Sequence, residues 1–542
     1  MARQQPHAEL RRAVTPWGSF AWGYSDVGAD IFVGLGLVLA AAAGASNVAF
    51  LFAGIVYVCI GLAYTELAAT YPVAGGGQYF VTRGLGDFLG FIAGWAVLLD
   101  FTIDVTLFAW SCVDYLSQLV TPLANTLHPW LHFGVVFFLI AALCTLNVIG
   151  VRESTAFQGF VSALDVISET AILGFGFLFA FRPELLVHTM QSAWPSRFDL
   201  MDGISLAIIS FVGLESISQA AEETQRPASI IPRTSIALIL TILIFALAYS
   251  NLALGMQPWH PQLDAHGHPI PFWQTFRLDP STQGEGVALL AAQVPLYGWL
   301  AAKYVPLLGA VLLLISSNSG VFGSSRIAYA MSKEQHLPSI FERVHPRFRT
   351  PAISIIAFCG VAVIELIFAA LPSLDPHAQA FYTHFFHGED GVTFLGDLYA
   401  FGAATSYSLV FLALIALRLK EPLSPRSFKI PLNLPLRYGG EQAEVPLIGI
   451  VGFIGITLIL AFTIATHDIG RIAGPSWLVV GVLFYLWYRT RKRLPVFGSL
   501  RRDWKHEQIE ILRDAGELEL MDQYIENLKR SEERRLKAGS ST

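Results

Sequence analysis

Twelve apolar runs constrain this chain more than any other feature. They fall at 18–43, 46–70, 86–119, 129–149, 157–181, 199–222, 233–255, 302–330, 350–372, 393–418, 446–466 and 474–490. Each is close to the ~20 residues that a helix needs to cross a bilayer. In lipid the backbone must pair with itself, and a helix does that within one segment. The expectation is therefore an all-α polytopic membrane protein with 12 transmembrane helices. Mean hydropathy of +0.53 and only 14% charged residues, against about 25% in soluble domains, exclude a soluble binding module.

The remaining charge sets the orientation. Connections after the odd-numbered runs hold few basic residues (Arg182, Arg197, Arg277, Lys303, Arg471), while the even connections and both ends hold the rest. Loops rich in Lys and Arg stay on the cytoplasmic side, so both termini are expected there, in a multi-pass protein of the cell (inner) membrane. The first run follows Arg3, Arg11 and Arg12 but is too long for a cleaved leader, so it reads as the first helix. A net charge of −6 spread over loops and tail gives no reason to expect a nucleic-acid partner. Cys59, Cys112, Cys144 and Cys359 all fall in apolar runs without CxxC or Cys/His spacing, so they read as small core residues, with neither disulfide nor metal. No cofactor motif or nucleophile–base pair stands out, and an enzyme is not expected.

Two runs are interrupted. The first reads Tyr24-Ser25-Asp26-Val27-Gly28-Ala29-Asp30-Ile31-Phe32, and the sixth reads Phe211-Val212-Gly213-Leu214-Glu215-Ser216. A break at membrane depth is tolerated only where it lines a protein-enclosed cavity. Paired breaks at corresponding places in two halves point to the substrate site of a secondary transporter. Breaks are therefore expected in helices 1 and 6.

Acids inside the runs sharpen this. Asp26 and Asp30, Asp100 and Asp104, and Asp165 and Glu169 are i,i+4 pairs that share a helix face; Asp114 lies further along the third run, and Arg152 and Glu153 flank the entrance to the fifth. A charge at the bilayer centre costs about 2.5–3.5 kcal/mol, so none should face lipid. No Lys or Arg lies deep in runs 1, 3 or 5. Asp30, Asp100 and Asp165 are expected to form a polar interior between helices 1, 3 and 5 that takes up a proton or cation. In the eighth run, Ser316, Ser317 and Asn318 could coordinate a monovalent ion or bond neighbouring helices. Asp397, Tyr399 and Thr405-Ser406-Tyr407-Ser408 in the tenth are candidates for an outer gate. His260, His266 and His268 read as solvated loop residues, and 505–536 as an amphipathic helix or helix pair docked on its own membrane domain.

Three blocks carry a resemblance. They are Glu66-Leu67…Pro72…Gly75-Gly76-Gly77-Gln78-Tyr79 with Gly90-Phe91…Gly94-Trp95, then Ala221-Glu222-Glu223…Pro227…Ile231-Pro232-Arg233, then Ser325-Arg326…Ala330-Met331…Leu337-Pro338…Thr350-Pro351. In that order among twelve helices they resemble the amino acid–polyamine–organocation (APC) superfamily of permeases, over about 18–490. The resemblance implies a LeuT-like five-plus-five inverted repeat: 18–181 the first repeat, 199–418 the second, 446–490 helices 11 and 12. An N-terminal cytoplasmic arm (1–17) and a helical tail (491–542) lie outside it.

The family's substrate site, carried over by motif, falls on Asp26, Val27, Gly28, Ala29 and Asp30 in helix 1 and on Phe211, Gly213 and Glu215 in helix 6. Asp100, Asp104, Asp165, Ser316, Ser317 and Asn318 are the candidate coupling or cation residues. Asp30 stands where the family's helix-1 motif has its second glycine, beside amides that would meet a substrate carboxylate. Ser25-Asp26, Leu99-Asp100-Phe101 and Gly213-Leu214-Glu215-Ser216 are also similar to the potassium-importing branch, although Val33 replaces that branch's tyrosine. The function implied is uptake of a small molecule, an amino acid or amine, with a proton or cation as coupling ion. Import of potassium or another monovalent cation, and a transporter-like nutrient sensor, stay open beside it. The oligomeric state is not legible.

Overall fold

The computed structural model describes residues 14–539, apart from 74, 151–154, 264–266, 386–390 and 440. Arg3, Arg11, Arg12, Arg152, Glu153 and His266 lie outside the described residues.

Among the described residues, twelve long helices form the body: α1 (Pro16–Ala42), α2 (Ser46–Thr70), α3 (Asp87–Ser117), α4 (Pro129–Ile149), α5 (Thr155–Phe175), α6 (Arg197–Gln219), α7 (Pro227–Gly255), α8 (Gly298–Lys333), α9 (Ala352–Leu374), α10 (Gly391–Lys420), α11 (Leu447–Thr466) and α12 (Asp468–Lys492). Their ends follow local rules. Thr15 caps α1 by accepting from the Gly18 amide at 3.2 Å, and Pro16 opens the first turn. Pro129 and Pro227 open α4 and α7, and Gly150, at φ +81°, closes α4. Only the three-residue turn Ala43–Ala45 separates α1 from α2.

Helices of the first five pack on those of the second five. α1 lies along the first half of α6, α2 along α7, α3 along α8 and α4 along α9. An offset of five makes each pair cross in opposite directions, as two inverted repeats require. The short helix Gly76–Leu85 between α2 and α3 has its counterpart in the short helices Phe272–Leu278 and Gly286–Ala292 between α7 and α8.

One expectation needs correcting: α1 is not interrupted at Gly28, and runs as one helix from Pro16 to Ala42. Gly28 keeps helical backbone angles, and its missing side chain serves packing instead. A Cβ there would meet the Tyr24 ring at 3.0 Å. The sixth helix does break.

One face of the bundle, where α1 begins and α12 ends, carries a hairpin and two further helices. A hairpin pairs β1 (Asn433–Tyr438) with β2 (Glu441–Pro446), in register from Asn433↔Pro446 to Tyr438↔Glu441. Two amphipathic helices, α13 (Trp504–Asp514) and α14 (Leu518–Gly539), lie across this face. Glu507 accepts from the Tyr79 hydroxyl at 2.7 Å, Gln508 donates to the Thr70 carbonyl at 3.0 Å, and Ser531 donates to Glu441 at 2.6 Å.

Candidate functional site

The break in α6 sets the site. The helix runs Arg197–Ala207, tightens into a 3₁₀ turn at Ile208–Phe211, and then unwinds. Val212 is extended and Gly213 sits at φ +101°, a region where a side chain costs roughly 1–2 kcal/mol. Helix resumes at Glu215–Gln219. A Cβ on Gly213 would come within 3.1 Å of both Asp26 Oδ2 and Val27 Cγ2. The unwound backbone thus lies directly against α1, with Asp26 facing it.

Around this contact five carboxyl groups converge: Asp26 and Asp30 of α1, Asp100 and Asp104 of α3, and Glu215 of α6. None is more than 4% exposed, so water does not offset their charge. Asp30 is within electrostatic reach of Asp104, Asp26, Asp100 and Glu215. Asp100 and Glu215 lie close enough for one proton to bridge the two carboxyls. Glu215 also accepts from Tyr407 of α10 at 2.6 Å. Asp26 Oδ1 has a long contact from Ser316 at 3.4 Å. Asp26 Oδ2, Asp100 Oδ1 and both oxygens of Asp30 and of Asp104 have no hydrogen-bond partner. Asp104 abuts α8 where Gly320 lacks a side chain; a Cβ there would lie 2.5 Å from Asp104 Oδ2. Among the described residues, no lysine, arginine or histidine forms an ion pair with any of the five.

Aromatic rings complete the chamber. Tyr57 stacks on Phe211 with centroids 4.9 Å apart, and Tyr64 meets Tyr407 edge-on at 5.8 Å. The hydroxyls of Tyr57 and Tyr64 and of Ser210 and Ser216 are buried without partners. Unfilled carboxylates among ring faces suit an ammonium group or an inorganic cation. They oppose an anion.

The other candidates are placed as follows. Val27 and Ala29 are buried in α1, Val27 against the α6 break. Ser316 joins the chamber through Asp26. Ser317 donates to the Val105 carbonyl at 2.9 Å, and Asn318 accepts from Asn147 at 2.6 Å, so both tie α8 to neighbouring helices. Asp165 is not in the chamber; with Glu169 it binds Tyr24 on the opposite side of α1. Asp397, set down as a gate residue, contacts His467 at 2.8 Å. An open cavity of about 1050 Å³ lies elsewhere, between Arg83, Glu421, Glu441 and Trp504 under the tail helices, and holds none of the chamber's residues.

Sequence reading missed Tyr24, Tyr57, Tyr64 and His467. For Tyr24 a signal existed: Gln158, Ser162, Asp165 and Glu169 recur at helical spacing and form a polar stripe on α5 that must face protein rather than lipid. Tyr57, Tyr64 and His467 carry no comparable local signal.

Residues 15–487 match the amino acid permease family. The branched-chain amino acid permease of Bacillus subtilis is 24% identical, over 85% of this chain and 89% of its own. The methylthioribose transporter of the same organism is 24% identical over 86% and 91%. The low-affinity putrescine importer of Escherichia coli is 25% identical over 62% and 70%. With the match covering nearly all of the twelve-helix body, the chain belongs to the amino acid permease family, within the APC superfamily.

Proposed function

We propose that this protein is a secondary active transporter that imports an amino acid or related amine across the cytoplasmic membrane, with both termini in the cytoplasm. The observation that carries the reading is the chamber of five buried carboxyls without a basic partner. Such a group needs a cation to complete it, and the substrate's ammonium is the natural candidate. We place that ammonium among Asp26, Asp30 and Asp104, where the unpaired oxygens concentrate. The rest of the molecule would lie along the unwound 212–214 backbone and the ring of Tyr57. Relatives that carry branched-chain amino acids and putrescine span both substrate classes.

Alternating access would turn on α6, because an unwound segment can change direction without breaking helical hydrogen bonds. A proton shared by Asp100 and Glu215 can leave as the substrate's charge arrives, which would couple transport to a proton or cation. The second reading, a potassium or other monovalent cation importer, is favoured by the chamber's unfilled carboxylate oxygens.

The test is a thermal-shift screen of the purified full chain against amino acids, polyamines and monovalent cations. A ligand at a hundred times its Kd stabilises by about 2.7 kcal/mol. Stabilisation by an amine, followed by its uptake into proteoliposomes, is the expected result. Stabilisation by potassium alone would select the second reading. Binding without flux would select a nutrient sensor.

A further inference from the structure

On the opposite side of α1 from the chamber, we infer a separate binding site for one exchangeable proton, held by Asp165 and Glu169 of α5 and Tyr24 of α1. The Tyr24 hydroxyl lies 2.9 Å from Asp165 Oδ2 and 2.7 Å from Glu169 Oε2. Both are hydrogen-bond distances. A phenol carries one hydrogen, so it satisfies one carboxylate only. The second short contact is satisfied when that carboxyl is itself protonated and donates to the phenol oxygen. The three groups therefore hold two hydrogens between them: tyrosine's own and one more from solution. When the extra proton leaves, the two carboxylates face each other across a single donor, and charge repulsion favours its return.

The surroundings fit this assignment. Asp165 and Glu169 are 0% and 1% exposed, and Tyr24 is fully buried. Tyr249 of α7 is also fully buried, lacks a hydrogen-bond partner and faces both acids. It is a second hydroxyl in reach when the carboxyls rearrange. Tyr115 of α3 also faces Asp165, and Tyr304 of α8, which bonds Ser168 at 2.8 Å, faces Tyr249. All are phenols, and among the described residues no lysine, arginine or histidine forms an ion pair with either acid. The site is also mechanically tied to the chamber. Tyr24 lies two residues before Asp26 on the same helix, its ring fits over Gly28, and Gln158 and Ser162 of α5 bond Ser25 and the Ala21 carbonyl at 2.8 and 3.3 Å. A movement of α1 that opens the chamber would pull Tyr24 from one or both acids and release the proton. As a coupling site this rests on the transporter reading; as a proton site it does not.

Infrared spectroscopy of the purified full chain in lipid, across a pH titration, separates the two. The wild type should show a protonated-carboxyl C=O stretch that titrates and that Asp100→Asn/Glu215→Gln leaves in place, which separates it from any band of the chamber. Asp165→Asn and Glu169→Gln should each remove it, and Asp30→Asn should leave it. Tyr24→Phe, which preserves shape, should shift the band because a partner is lost, and this result stands even where the acid variants fold poorly. Persistence of the band in the Asp165→Asn/Glu169→Gln double variant would overturn the inference. So would displacement of the band by sodium, lithium or potassium chloride at constant pH, which would make this a metal-ion site. In proteoliposomes, loss of uphill uptake with exchange retained in Glu169→Gln supports coupling through this proton; equal loss of both overturns the coupling role alone.

Discussion

Two regions bury carboxylates to the same depth and treat them in opposite ways. On the face bearing the tail, Glu66 of α2 is 0% exposed and Asp87 of α3 is 1% exposed. Glu66 takes a two-pronged contact from Arg418, a third from Arg426 at 3.1 Å, and the Ile430 amide at 2.9 Å. Asp87 has Arg489 at 2.8 Å, Arg502 at 2.7 Å and the Leu500 amide at 2.7 Å. In the chamber, acids of equal burial have each other, a few hydroxyls and open lone pairs. Burial does not distinguish a functional acid from a structural one. What separates the two regions is the partner, because a buried carboxyl without a basic neighbour needs a proton or a cation from elsewhere.

The largest effect should come from breaking the paired region. Arg418→Met strands much of the Glu66 charge, and breaking a buried pair costs about 3–5 kcal/mol. Thermal unfolding of the purified protein should show a large loss, whereas Asp30→Asn should leave stability unchanged or raised. Equal destabilisation by the two variants would erase the distinction between the regions.

The chamber is broken by filling it. Gly213→Leu places a side chain where Asp26 and Val27 approach the backbone and forces a branched residue to φ +101°. Membrane insertion should survive and substrate uptake should vanish. Normal uptake by a well-expressed variant would move the site away from the α6 break. Next in size, Asp30→Asn should weaken binding of the cationic ligand more than tenfold, about 1.4 kcal/mol or more, as measured by calorimetry. Tyr407→Phe removes one hydrogen bond to Glu215 and should cost about 1 kcal/mol, a several-fold change in the same measurement.

The finest test uses pH at two histidines. Burial disfavours the charged ring of His467, but Asp397 and Asp202 outweigh it and push its pKa well above the ordinary value. His336 is also buried and next to Asp87, yet burial prevails there, Arg489 and Arg502 add to it, and its pKa falls. A raised folded-state pKa stabilises fully below the unfolded value near 6.5, and that stabilisation is lost as pH rises through the folded value. The stability gap between wild type and His467→Gln should therefore be widest at acid to neutral pH and close in alkali. A gap that widens with pH would show that the ring is held neutral.

Much of the fold was legible in the chain itself. Segment length and hydropathy require twelve crossings because lipid offers backbone groups no partner, and the offset of five between corresponding helices was implied by the resemblance to the permease superfamily. The interruption at Gly213 was legible too, from a glycine two residues before an acid at membrane depth. The same reasoning failed at Gly28. A glycine's empty side is a local fact, and only the packed neighbour decides whether it unwinds a helix or receives a ring, as it does for Tyr24. Sequence likewise placed the acids inside the membrane but could not sort them. Asp165 went with Tyr24 and Glu169 rather than with Asp30 and Asp100. Glu66 and Asp87 found arginines hundreds of residues away. Charge compensation is a relation across space, so spacing along the chain determines which acids are buried, and tertiary structure alone decides which of them are left without a partner.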